Sequence, residues 1–201
     1  MSAKIIKTDN FEFSKVNKLW ANGQIKKYPT GKQASAVMPL LTKAQEQNNG
    51  WLSMAAIDYI STYLSIPVMR VLEVATFYSM YNLEEVGTHV IEICTTTPCW
   101  LRGSDEVLKA AENELGIKVG ETTKDGEFTL REVECAGACV NAPVCAVHKV
   151  YYEDLNGENM RQIIKDFKAG KTPKAGPQNG RQTSAPIGGA TTLKNFIGAT
   201  E

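Results

Sequence analysis

Four of the five cysteines fall into two pairs, Cys94-x4-Cys99 and Cys135-x3-Cys139, each bounded by turn-forming residues. Thiolates are soft metal ligands, and two pairs on two loops can close around one metal centre. A 2Fe-2S cluster takes four thiolates, two for each iron. A loop with three or four residues between its cysteines can turn both sulfurs toward one iron, leaving backbone N–H groups free to point at the cluster. Gly137 lies inside the second pair and Gly103 just beyond the first, where a missing side chain allows close backbone approach. Pro98 and Pro143 stiffen the two loops. Zinc is the rival, because four thiolates also form a closed tetrahedral site, although structural zinc knuckles most often place two residues between cysteines. The spacing favours the cluster and leaves zinc, or unliganded and regulatory thiols, as alternatives.

Other cysteine chemistries fit less well. The chain lacks the C-x4-C-x2-C run of plant-type ferredoxins and the Cys-x-His pairs of a Rieske centre. It has no Cys-x-x-Cys for thiol exchange. Cys145, on a predicted strand, reads as a small buried hydrophobe. His89 and His148 read as strand residues rather than ligands.

The elements that must position these cysteines begin near residue 88. Residues 89–94 predict a strand running into the first cysteine loop. Ser104, followed by Asp105 and Glu106, suits the start of a helix, with Val107, Leu108, Ala111 and Leu115 inward and Gly116 as its end. Asp125-Gly126 marks a turn before a second strand containing Phe128, Leu130 and Val133. Two short strands, 144–147 and 150–152, break at His148-Lys149. A last helix carries Met160, Ile163, Ile164 and Phe167 and stops at Gly170. This order of strand, helix, three strands and helix predicts a thioredoxin-like α/β domain.

The preceding segment predicts a small helical bundle. Val16, Leu19 and Trp20 lie at helical spacing; Ala34, Val37, Met38, Leu41 and Ala44 form a second stripe in which Pro39 should introduce a kink. A third helix should start after Ser53 as N-cap, with Ile57, Ile60 and Leu64 inward. Pro67 suits the first turn of a fourth, which should carry Val68, Val71, Leu72 and Ala75. The aromatic segment 77–81 reads as core or interface. The expected domains are 1–84, a helical bundle; 85–169, the thioredoxin-like 2Fe-2S domain; and 170–201, a Gly/Pro-rich tail. That tail holds six glycines and three prolines, so it predicts disorder, or an arm ordered along a partner.

Composition narrows the function classes. Of 201 residues, 43% are hydrophobic and 22% charged, enough apolar content for a real core. Basic and acidic residues number 22 each, so no net charge steers the chain to nucleic acid or an anionic membrane. No apolar run reaches the roughly 18 residues of a membrane span. Residues 1–13 show neither a secretory signal nor a typical presequence, which predicts a reducing compartment where paired cysteines are ligands rather than disulfides.

The motifs together resemble the thioredoxin-like 2Fe-2S subunit of the NADH dehydrogenase arm of respiratory complex I. The matching residues are Val74-Ala-Thr-Phe-Tyr78 with Met80, Cys94-Thr-x-x-x-Cys99 with Leu101 and Gly103, Glu134-Cys135-x-Gly137-x-Cys139-x-x-Ala142-Pro143, and Tyr151-Tyr152. The resemblance runs from about Phe11 through the tail. One departure is Ala136, where the family usually has leucine, and Cys145 is another unusual choice. The resemblance implies that Cys94, Cys99, Cys135 and Cys139 bind one 2Fe-2S cluster exchanging single electrons with FMN. FMN and NADH are expected on a flavoprotein partner subunit, since this chain has no GxGxxG. It also implies other peripheral-arm subunits as partners, a peripheral place on the cytoplasmic side of the bacterial inner membrane, and no complete active site on this chain. The alternatives are the small 2Fe-2S subunit of an NAD-linked hydrogenase or formate dehydrogenase, and, in another class, a zinc-stabilised interaction module.

Overall fold

The computed structural model describes residues 10–189 and 191–193. The reading of the first nine residues and of the end of the tail lies outside the described residues. The chain divides into two compact units, Met1–Thr88 and His89–Glu201.

The first unit is built from four helices. Helix α1 (Lys15–Ile25) starts at Ser14, whose side chain accepts the Asn17 N–H at 3.2 Å. Its inner face is not the expected one: Val16 and Leu19 are about three-quarters exposed, and Ala21 is buried with Trp20 and Ile25 packed partly beside it. A small side chain lets this helix lie close to its neighbours, and Ile25, one turn on, extends the same face. The second stripe divides into a 3-10 turn (Gln33–Ala36) and α2 (Val37–Gln47). Pro39 does not interrupt α2, because it occupies the first turn, where backbone N–H groups lack intrahelical partners. Helix α3 (Met54–Leu64) starts at Ser53 as expected and buries Ile57, Ile60 and Leu64. Ser65, at φ +54°, ends it, and Pro67, expected in the first turn of the next helix, is instead the extended cap residue before α4 (Val68–Phe77). In the aromatic segment only Tyr81 joins the core, its hydroxyl donating to the Met38 carbonyl at 3.0 Å; Phe77 is 78% exposed.

The second unit is a five-stranded sheet in the order β2-β1-β3-β4-β5. Strand β1 (His89–Cys94) is central and runs into a short helix, α5 (Thr97–Leu101). Helix α6 (Ser104–Leu115) then crosses back to β2 (Phe128–Val133), which pairs parallel with β1. Such pairing requires a crossover of this kind. Ser104 is the first helical residue rather than the cap. The cap is Gly103 at φ +91°, a left-handed turn between α5 and α6 that a Cβ would strain, and the buried Ser104 hydroxyl has no hydrogen-bond partner among the described residues.

Strand β3 (Cys145–Val147) lies antiparallel to β1 and pairs with β4 (Val150–Glu153) through a hairpin in which His148 and Lys149 both take positive φ. Helix α7 (Gly157–Lys168) closes the fold. Ile91 and Ile93 project from one face of β1 into a core shared with Val107 and Ala111 of α6 and Met160, Ile163 and Ile164 of α7, so both helices cover that face. Each of the larger side chains in this set, Val, Ile or Met, contributes about 1.5–3 kcal/mol on burial.

The proximal tail departs from the expected disorder. Strand β5 (Gly176–Pro177) adds to the free edge of β4 in parallel, and the Gln178 N–H donates to the Glu153 carbonyl at 2.9 Å. An open edge has unpaired backbone groups, and this segment satisfies some of them.

Helix α7 begins with a reciprocal cap. The Asn156 side chain accepts from the Glu158 and Asn159 N–H groups, and the Asn159 side chain accepts from the Asn156 N–H. Asn156→Ala should cost about 1 kcal/mol, read as a lower denaturant midpoint with an unchanged slope.

Candidate metal centre

The sheet brings the two cysteine loops to one end of the second unit. Cys94 ends β1 and Cys99 lies in α5; both are buried. Cys135 follows β2, and Cys139 opens a one-turn 3-10 helix, Cys139–Asn141; both are exposed. The backbone of Val144, a few residues past the second loop, contacts both cysteines of the first, its carbonyl accepting the Cys94 N–H at 3.0 Å and its own N–H reaching the Cys99 sulfur. The Ala142–Pro143 peptide bond just before it is cis.

The thiols are arranged pairwise. The sulfurs of Cys135 and Cys139 are 3.4 Å apart, and Cys94 shares a hydrogen bond with Cys99. Two thiolates on one tetrahedral metal, at about 2.3 Å from it, stand about 3.8 Å apart, so the Cys135–Cys139 pair is close to the separation one metal ion requires. Interactions also cross between the pairs: Cys139 acts electrostatically on Cys99, and the Thr96 hydroxyl, 3.3 Å from the Cys94 sulfur, also reaches Cys135. Among the described residues, no three His, Cys, Asp or Glu side chains stand ready around a single ion. Two adjoining pairs are the arrangement a binuclear cluster uses.

Backbone donors point at the sulfurs as well. The Gly137 N–H donates to the Cys135 sulfur at 3.4 Å, and Ala136 supplies a backbone hydrogen bond to Cys94. Ala136 also packs with Cys94, Cys99 and Ala142, and the Tyr151 hydroxyl donates to its carbonyl at 2.9 Å. A Cβ built on Gly137 or Gly103 would meet no protein atom within 4 Å, so it is positive φ, +76° and +91°, that demands glycine at both.

Each pair holds one thiol inclined to ionise and one inclined to keep its proton. Burial disfavours the Cys94 thiolate, but hydrogen bonds from Thr96 and the Ala136 backbone outweigh it and lower its pKa. Burial and the hydrogen bond with Cys94 push Cys99 up to about 12. The Gly137 N–H and then Cys139 lower Cys135; Cys139 is raised by its hydrogen bond with Cys135 and by burial.

A family model described as thioredoxin-like [2Fe-2S] ferredoxin matches residues 21–168. The chain is 55% identical to the E-type subunit of NADH-quinone oxidoreductase from Rickettsia typhi, over 80% of its length and 96% of that protein. It is 54% identical to the corresponding subunit from Rickettsia felis over 79% of its length and 95% of that protein. The chain belongs to the thioredoxin-like [2Fe-2S] ferredoxin family. A structure of an NAD+-reducing [NiFe]-hydrogenase shares the fold at TM-score 0.57 and 20% identity, over 65% of this chain and 23% of the hydrogenase chain. Among the described residues, no helix is long and apolar enough to cross a membrane.

The donor set of this ferredoxin fits the family's 2Fe-2S cofactor: four thiols in two adjoining pairs, with N–H and hydroxyl donors already aimed at sulfur. Cys145 stands apart, fully buried in the sheet core, where desolvation pushes its thiol up to about 12. His148 lies in the hairpin rather than on a strand, its Nε2 2.7 Å from Nδ1 of His89. Sequence reasoning missed Thr96 and Tyr151 as partners of the cysteine loops. Thr96 could have been found as a hydroxyl inside the first cysteine pair, whereas Tyr151 reaches Ala136 only through the hairpin.

The proton inventory gives a sign for metal loading. Thiols must deprotonate to bind metal, so reconstitution of the cluster-free chain should become more favourable as pH rises and should release protons. Alkylation at pH 8 followed by peptide mass mapping should modify Cys135 first and Cys145 last.

Proposed function

We propose that Cys94, Cys99, Cys135 and Cys139 hold one 2Fe-2S cluster, and that the chain is the electron-transfer subunit of an NADH:quinone oxidoreductase, exchanging single electrons with FMN on a partner subunit. The observation that carries this reading is the approach of the two thiol pairs: Ala136, between Cys135 and Cys139, packs with Cys94 and Cys99, and the Thr96 hydroxyl beside the Cys94 sulfur also reaches Cys135. When bound, the cluster supplies a one-electron redox couple.

The chain's own residues set the environment of that couple. The Gly137 N–H and the Thr96 hydroxyl donate toward sulfur and favour the added negative charge of the reduced state. Burial of Cys94 and Cys99 opposes it. On the other side Cys135 and Cys139 reach the surface, and Trp100, Leu101 and Val140, which follow Cys99 and Cys139 in sequence, are each more than half exposed. Exposed apolar residues next to a redox centre suit a protein partner that excludes water along the electron path. The chain contains no GxGxxG, so the reading assigns NADH and FMN to a flavoprotein subunit of the peripheral arm. Complex I is preferred over an NAD-linked hydrogenase because identity to the Rickettsia quinone-oxidoreductase subunits exceeds one half, against 20% for the hydrogenase. A peripheral position on the cytoplasmic side of the inner membrane follows from membership of that complex.

Metal analysis and electron paramagnetic resonance of the reduced full chain test the assignment. Two irons with two acid-labile sulfides per chain are expected, with a reduced-state signal lost or strongly weakened on Cys→Ala at any of the four positions and retained in Cys145→Ala. One zinc without iron, or loss of signal only in Cys145→Ala, would overturn it.

A further inference from the structure

The tail returns to the second cysteine loop, where it makes a charged contact that family membership does not explain. The Arg181 guanidinium grips Asp154 with two hydrogen bonds, Nε to Oδ2 at 2.7 Å and Nη2 to Oδ1 at 3.0 Å. The same Nη2 donates to the carbonyl of Val140, the residue after Cys139, at 2.7 Å. Both charged side chains are largely enclosed, at 10% and 6% exposure. The Asn141 side chain donates to the Thr183 carbonyl at 3.1 Å, and the Asp154 N–H donates to the Asn141 carbonyl at 2.7 Å. Asp154 sits at φ +52°, a conformation that residues with a Cβ rarely adopt. The turn after β4, the turn that holds Cys139 and the proximal tail therefore form one hydrogen-bonded body.

We infer that residues 176–183 are a strap that holds the Cys139 turn in place, and that Arg181, paired with Asp154, is a positioning residue for the iron-sulfur cluster. The inference rests on Cys139 being a ligand. An exposed ion pair would do little here, because water screens it. This one is enclosed, bidentate and shared with the backbone of the ligand turn, so loss of either partner leaves a desolvated charge near the sulfurs. Reduction adds negative charge to the cluster. Removing the cation therefore disfavours reduction, and removing the anion favours it.

Midpoint potential, followed by paramagnetic resonance during redox titration, and cluster release to an iron chelator are measured on the full-length loaded chain and on R181Q, R181K and D154N. Asn suits the left-handed backbone at 154. The potential should fall in R181Q, rise in D154N and stay near the parent value in R181K, while release accelerates about tenfold in R181Q, as expected for a lost hydrogen bond to a charged group. Shifts of the same sign in R181Q and D154N, or unchanged potential and release in all three variants, would overturn the inference. Should R181Q fail to fold, a raised potential in D154N beside an unchanged one in R181K supports it, and both moving together overturns it. A parent chain that shows no reduced 2Fe-2S signal overturns instead the ligand assignment beneath it.

Discussion

The register of β1 with its two neighbours is what the second unit depends on, and the backbone of Val144 ties the first cysteine loop to it. Its carbonyl accepts the Cys94 N–H and its N–H reaches the Cys99 sulfur, while the same chain segment leads directly into β3. Two cysteine loops that begin some forty residues apart can approach only if the strands carrying them share a register. Central β1 meets that requirement, pairing with β2 on one side and β3 on the other so that Cys94 lies opposite Val133 and Ile93 opposite Cys145. A one-residue slip would exchange the two faces of β1, moving Ile91 and Ile93 out of the core. The apolar packing of α6 and α7 against that face thus also keeps the sulfurs together.

Within this frame the electrostatics are local. Four sulfur groups so close together resist ionising as a set, and the structure answers with donors: Thr96 for Cys94 and Cys135, Gly137 for Cys135, Ala136 for Cys94. Burial and the paired thiol raise Cys99, and the hydrogen bond with Cys135 and burial raise Cys139. A bound metal would take the place of thiol protons. Cys145, one strand position from Val144, has no such donor and is surrounded by aliphatic core, so it stays a thiol. Oriented donors are what separate Cys94 and Cys135 from Cys145.

Much of this was legible locally. Ser53 declared itself as an N-cap by type and position, Gly116 as a helix end, and His148-Lys149 as the break between two strands, because each acts through its own backbone. Readings failed where a neighbour decided the outcome. Val16 and Leu19 have the spacing of a buried face, yet small Ala21 is what the packing selects. Pro39 looked like a kink until the start of α2 put it in the first turn. Phe77, for which the core was one of two readings, is exposed. The tail read as disordered by composition, since no local pattern reveals that β4 offers an edge and Asp154 a countercharge.

The sequence by itself determined the candidate ligands and their frame: four cysteines in two loops, their spacing, the glycines at left-handed turns, and the alternation of strand and helix from residue 89 onward. Those properties depend on residue type and on neighbours a few positions away. Only the tertiary structure decided which donors face which sulfur, that Cys99 and Cys139 hold their protons more tightly than an ordinary thiol, that Cys145 lies apart, and that Arg181 reaches back to the carbonyl beside Cys139. Each of these joins residues distant in the chain, and they meet only once sheet register and helix packing have brought them together.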